Sequence, residues 1–156
     1  MKINSRSKGR RGEREVAALL ERWWAQIEPG TRFKPTPLSG GWSTPDVRAA
    51  FQVSGDLVTT AETFPYCVEV KRREKWNLDK FILSYKGPLA NWWEQAVCAA
   101  SENKKIPLLV FRRSREEWYA MMPLSEILRA GVERYTVCDC APVPSPVVFK
   151  FVDLLK

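Results

Sequence analysis

Ile106-Pro107-Leu108-Leu109-Val110-Phe111 is a near-continuous apolar run bounded by Lys105 and Arg112. It is far short of the roughly 20 residues that cross a bilayer. It fits a strand covered on both faces. The covers are visible as helical stripes. Val16, Leu20, Trp23 and Ile27 recur at i, i+4, i+7 and i+11 over residues 12–27, with Leu19 and Trp24 widening the stripe. Leu89, Trp92, Trp93, Ala96, Val97 and Ala100 mark a second helix over 89–102. Asn77 can cap a short helix over 78–85, which Gly87-Pro88 breaks. The expected architecture is α/β, a central mixed sheet flanked by helices.

The strand predicted over 66–71, Tyr-Cys-Val-Glu-Val-Lys, is the most informative stretch. Side chains alternate in a strand, so Tyr66, Val68 and Val70 share a packing face, while Cys67, Glu69 and Lys71 share the other. A carboxylate and an ammonium then stand side by side at the strand's end. Metal-dependent phosphodiester cleavage needs such a pair: the carboxylate as a hard oxygen ligand, the lysine to orient water or offset developing charge. The plain alternative is an ion pair on a solvated edge. Residues 57–60 are β-prone and 61–65 can turn, which predicts a hairpin with 66–71 and sets Asp56 roughly opposite Glu69. Asp46, in Pro45-Asp46, is the rival acid, although an Asp there also reads as a turn residue or cap.

Glu13 lies on the apolar side of the first helix, one turn before Val16. Either it serves a site there, since an inward carboxylate is costly unless paired or metal-bound, or it answers the helix dipole. Ser39-Gly40-Gly41 is an ordinary loop or a phosphate-approaching one. Residues 1–11 carry Lys2, Arg6, Lys8, Arg10 and Arg11 without an acid, and read as a flexible basic arm or a phosphate-contacting helix start. Arg72, Arg73 and Lys75, with Trp76 beside them, suit a nucleic-acid backbone. Gln95 flanks the second helical stripe.

Composition narrows the chemistry. The 156 residues carry a net charge of +7, which points to a polyanionic partner, and no histidine, which excludes Ser-His-Asp and Cys-His units and His-containing zinc sites. Four cysteines without a C-x-x-C pair read as reduced thiols of a cytoplasmic protein, with neither a secretory signal nor a membrane span expected. One domain is expected, with a core over 12–111. Residues 112–156 extend the sheet through strands at 118–122, 134–140 and 147–152 and a short helix at 123–130.

Lys8-Gly9-Arg10-Arg11-Gly12-Glu13-Arg14-Glu15, Ser39-Gly40-Gly41, Gly55-Asp56-Leu57-Val58, Val68-Glu69-Val70-Lys71 and Gln95 together resemble the PD-(D/E)xK nuclease superfamily. Within it they are most similar to archaeal-type Holliday junction resolvases and their phage-encoded relatives. The resemblance spans about residues 8–111 and implies a restriction-endonuclease-like core. It implies that Asp56, Glu69 and the Val70 carbonyl hold Mg²⁺ or Mn²⁺, that Lys71 positions the water, and that Glu13 completes the site through water. Ser39 would touch the scissile strand, and Lys8, Arg10, Arg11, Arg14, Arg72, Arg73 and Gln95 would contact DNA. It further implies a homodimer making paired cuts in branched DNA. The literal Pro-Asp of the superfamily pattern falls at Pro45-Asp46, which leaves the first metal ligand between Asp46 and Asp56.

Overall fold

A computed structural model of the chain describes residues 5–37 and 51–156. The order is α1 (Ser5–Trp24), β1 (Phe33–Pro35), β2 (Gln52–Ser54), β3 (Leu57–Thr59), β4 (Tyr66–Arg72), α2 (Leu78–Ser84), α3 (Pro88–Glu102), β5 (Ile106–Arg112), β6 (Tyr119–Pro123), β7 (Thr136–Val137) and β8 (Pro146–Lys150). Short 3-10 turns follow β6 and β8. The main sheet is mixed and five-stranded, in the order β4-β5-β6-β8-β7. Only β4 and β5 run parallel, in register from Tyr66 opposite Ile106 to Arg72 opposite Arg112. A second sheet holds β1-β3-β2, all antiparallel.

The apolar run at β5 is covered as its composition requires. Leu108 and Val110 join the core formed with Val16, Leu20 and Trp24 of α1 and with Tyr66, Val68 and Val70. Leu109 and Phe111 join the opposite core with Phe81 of α2 and Leu89, Trp93 and Ala96 of α3. The period of two in β4 therefore sends Val68 and Val70 toward α1 and leaves Glu69 and Lys71 on the other face. Asn77 caps α2, its side chain accepting from Lys80 N at 2.8 Å, and Tyr85 closes it in the left-handed conformation at φ 49°.

Four expectations change. The helix over 12–27 instead runs over 5–24, so of the two readings of the basic stretch the helix start holds for residues 5–11 and the flexible arm does not, and Ile27 is exposed. Glycine costs about 1 kcal/mol in a helix, but Gly12 is buried where an added Cβ would stand 3.3 Å from both Arg72 Cβ and the Trp118 ring. Tertiary contact, not propensity, keeps this turn helical. The hairpin between 57–60 and 66–71 does not form, because β3 pairs with β1 and β2 instead. Residues 33–35, which carry no strand alternation, supply an edge strand. In the C-terminal part the helix at 123–130 is only a 3-10 turn over Leu124–Glu126, and the strand at 134–140 shrinks to Thr136–Val137. No helix among the described residues is long and apolar enough to cross a membrane.

Candidate active site

β2 and β3 are joined by the tight turn Gly55-Asp56, which lies on the outer edge of β4 through a parallel bridge between Gly55 and Val68. Gly55 has φ +79°, and a Cβ there would fall 2.3 Å from the Val68 carbonyl oxygen. Only glycine allows that approach. Asp56 N–H donates to the Val68 carbonyl at 2.8 Å, and Val70 N–H donates to Asp56 Oδ2 at 2.8 Å. From the far side Thr36 N–H donates to the Asp56 carbonyl at 2.8 Å, and the Thr36 hydroxyl to the Gly55 carbonyl at 2.9 Å. The turn is thus clamped between two strands. Asp56 meets the β4 edge beside Glu69, as expected, although by a backbone bridge and not a hairpin.

Glu69 Oε1 and Lys71 Nζ are 2.9 Å apart, with side chains only 15% and 20% exposed. Asp56 is pushed up from 3.8 to about 7, first by burial and then by the negative charge of Glu69, against the Val70 N–H and Lys71. Glu13 is also raised, chiefly by burial, with Glu69 adding to it and Arg10, Lys71 and Arg14 opposing it. The three carboxylates therefore feel one another, and burial keeps Asp56 and Glu13 hard to ionise despite the nearby cations. Such a donor set is all oxygen, the kind a hard divalent cation takes.

Among the described residues no three acidic or thiol groups already converge as a metal cage. What converges is smaller: Asp56, Glu69 and a carbonyl. Alternate peptide groups of a strand point to opposite edges, so the Val70 carbonyl shares the edge of Val68 and faces the Asp56 side. One Asp56 oxygen is held by Val70 N–H, and one Glu69 oxygen by Lys71. Two carboxylates and a carbonyl can hold one hexacoordinate ion whose other positions are water, the usual habit of Mg²⁺.

The predicted DNA-contacting residues divide. Lys8, Arg11, Arg14 and Arg72 line a single open cleft of about 720 Å³ with Ser7, Glu74, Ser114 and Arg115. Arg10 lies close enough to Glu13 to act on its charge. Arg73 and Gln95 are exposed, and among the described residues Gln95 makes no hydrogen bond to the carboxylates or Lys71. Trp76 is buried, edge-on to Phe111 and under the Arg113 guanidinium at 4.1 Å, so it offers no free face to a base. Ser39, Gly40, Gly41 and Asp46 lie outside the described residues.

Sequence reading missed three participants. Lys105 Nζ donates to Ser54 Oγ at 2.6 Å beside Cys67, and burial lowers its pKa. Glu15 collects Arg11 at 3.3 Å, Arg72 at 3.8 Å and Arg112. Glu74 binds Ser114 and Lys8 across the cleft. The partners of Lys105, Arg112 and Ser114 are far away in the chain, so no local pattern announces them.

Residues 4–139 match the family described as "Phage putative PDDEXK endonuclease". Protein D14 of Escherichia phage T5 is 25% identical over 130 residues, which cover 81% of this chain and 75% of that protein. No solved structure matches the chain.

Proposed function

The chain belongs to the phage PD-(D/E)xK endonuclease family, and from that membership we propose that it hydrolyses DNA phosphodiesters at the Asp56–Glu69–Lys71 centre, with branched, four-way junctions as substrate. The observation that carries the reading is the clamped Gly55-Asp56 turn. It brings a half-buried, destabilised carboxylate to the same strand edge as a close Glu69–Lys71 pair. A solvated ion pair would not need that construction.

In this reading Asp56, Glu69 and the Val70 carbonyl would hold Mg²⁺ or Mn²⁺, and Glu13 would assist the site. The bound cation would supply Lewis-acid polarisation of a phosphoryl oxygen and a more acidic water. Lys71, 2.9 Å from Glu69, would orient the attacking water and offset charge as the phosphorus becomes pentacoordinate. A new P–O bond forms in line with the breaking bond to the 3′ oxygen. The attacking water gives up its proton to solvent and the departing 3′ oxygen takes one from solvent, leaving 3′-OH and 5′-phosphate ends. Ser39 contacts the scissile strand, and the cations of α1 hold the flanking phosphates. Paired cuts in a four-way junction call for two such centres, hence a homodimer. Support for junctions over linear DNA comes from the resemblance at residues 8–15 and the inward Glu13.

The test is cleavage with Mg²⁺ of a four-way junction, the matching linear duplex and a single strand, with Lys71→Ala alongside. Paired cuts confined to the junction and absent from the variant are expected. Cutting of duplex or single strand would keep the centre and replace the substrate. Cleavage that persists in Lys71→Ala would remove the centre itself.

A further inference from the structure

The cleft on the α1 side of the sheet is distinct from the carboxylate centre, and its floor already holds an anion. Lys8, Arg11, Arg14, Arg72 and Arg115 line it, against one acid, Glu74. The Glu74 carboxylate accepts from the Ser114 hydroxyl at 2.5 Å and from Ser114 N–H at 3.3 and 3.4 Å, and lies 3.5 Å from Lys8 Nζ. A backbone N–H, a hydroxyl and an ammonium converging on oxyanions are the donors that also bind a phosphate. Ser114 holds the Glu74 carboxyl below its usual range, so it stays ionised near neutrality.

The backbone around Glu74 does not depend on that side chain. Arg113 Nε donates to the Glu74 carbonyl at 3.2 Å, Arg113 Nη2 to the Trp76 carbonyl at 2.5 Å, and Arg73 N–H to the Arg112 carbonyl at 3.2 Å. The carboxylate, 47% exposed, can therefore swing out while the loop stays in place.

We propose that the Glu74 carboxylate is a built-in competitor for a nucleic-acid phosphate: the Ser114–Lys8–Arg115 end of the cleft binds a backbone phosphate other than the one cut, and that phosphate displaces Glu74. This inference rests on nucleic acid being the substrate. Glu74 weakens non-productive binding, and only a substrate that reaches this end of the cleft as well as the carboxylate centre recovers the donors.

The experiment is equilibrium binding of a DNA duplex and a four-way junction in EDTA, where no cutting occurs, for wild type, Glu74→Gln and Glu116→Gln. Glu116 is an exposed acid on the Ser114 loop, paired with Arg113 at 3.5 Å and not lining the cleft, so it controls for the change in net charge. Glu74→Gln should tighten binding roughly 3- to 10-fold and Glu116→Gln by less than about 2-fold, since surface charges without a shared site count for little. Lys8→Ala and Arg115→Ala should each weaken binding and lower the salt slope by roughly one phosphate contact. Equal effects of Glu74→Gln and Glu116→Gln, or weaker binding in Glu74→Gln, overturn the competitor role. If the wild type binds neither DNA, the nucleic-acid reading fails and takes this inference with it. Loss of cleavage alone touches only the carboxylate centre.

Discussion

The molecule holds two Glu–Lys pairs that look alike in composition and differ in physics. Glu69–Lys71 is 2.9 Å apart with side chains 15% and 20% exposed, at a strand edge where two more carboxylates press on it. Lys8–Glu74 is 3.5 Å apart, with side chains 31% and 47% exposed, in a cleft where cations outnumber acids. Burial raises Asp56 at the first, while Ser114 lowers Glu74 at the second. The first region gathers carboxylates that burial makes hard to ionise, and the second gathers cations against one acid. That complementarity suits one polyanionic substrate: a phosphate backbone answers the cleft, and a divalent cation answers the carboxylates.

The sharpest way to break the contrast is to remove one partner of each pair. Glu69→Gln or Lys71→Ala should lower cleavage by at least 10²-fold, the scale of lost acid–base and electrostatic assistance, with DNA binding changed little. Single-turnover rates beside binding in EDTA check both halves. Comparable losses of rate and affinity would make the two regions one binding surface.

Next in size is the pH behaviour of the acid-rich region. A carboxyl whose folded-state pKa exceeds its unfolded value binds its proton more tightly when folded. Its stabilising contribution is present below pH 4 and is lost as pH rises through about 7. The metal-free protein should therefore lose stability across that window, by roughly 2–4 kcal/mol at most. Asp56→Asn should flatten the slope, and Mg²⁺ should restore stability at pH 8 in the wild type only. Denaturant titrations from pH 4 to 8 in EDTA, then with Mg²⁺, measure it. A flat wild-type profile would mean that Asp56 is not destabilised.

Much of this was legible in the chain because the signals are local. Alternation in residues 66–71 and the unbroken apolar run at 106–111 depend only on strand geometry, and both faces follow from it. Asn77 announces its own helix. Asp56 was placed beside Glu69 by a hairpin that does not exist, since a three-residue strand such as Leu57–Thr59 cannot say which neighbour it will pair with. The early start of α1 was hidden because glycines such as Gly9 and Gly12 are poor helix formers, and what packs on Gly12 is Trp118, distant in sequence. Trp76 read as an aromatic among phosphate-contacting cations, and only the fold shows that it is buried, edge-on to Phe111 and covered by Arg113.

Gly55 tests the scaffold under the acid-rich region without touching charge. Gly55→Ala meets a positive φ and a carbonyl oxygen at 2.3 Å. It should cost roughly 1–3 kcal/mol, read as a lower denaturant midpoint, and should reduce cleavage while leaving the cleft's DNA affinity near wild type. Full activity would mean that the Gly55–Val68 bridge does not position Asp56.

The smallest effects belong to the cation-rich region and depend most on conditions. Glu15 ties down Arg11 and Arg72, whereas Arg14 and Arg115 are exposed cleft residues. Arg14→Ala should therefore weaken DNA binding about 3-fold at low salt and lower the salt slope by roughly one, with the cleavage rate at saturating DNA unchanged. Arg11→Ala should do less, because its guanidinium, 3.3 Å from Glu15, is already partly neutralised and its loss frees a competing acid. Binding isotherms at several salt concentrations separate the two. If Arg11→Ala proves the more damaging, Glu15 is holding that guanidinium in place for a phosphate and not withholding it, so that Glu15, behind the cleft, positions cations while Glu74, within it, competes for them.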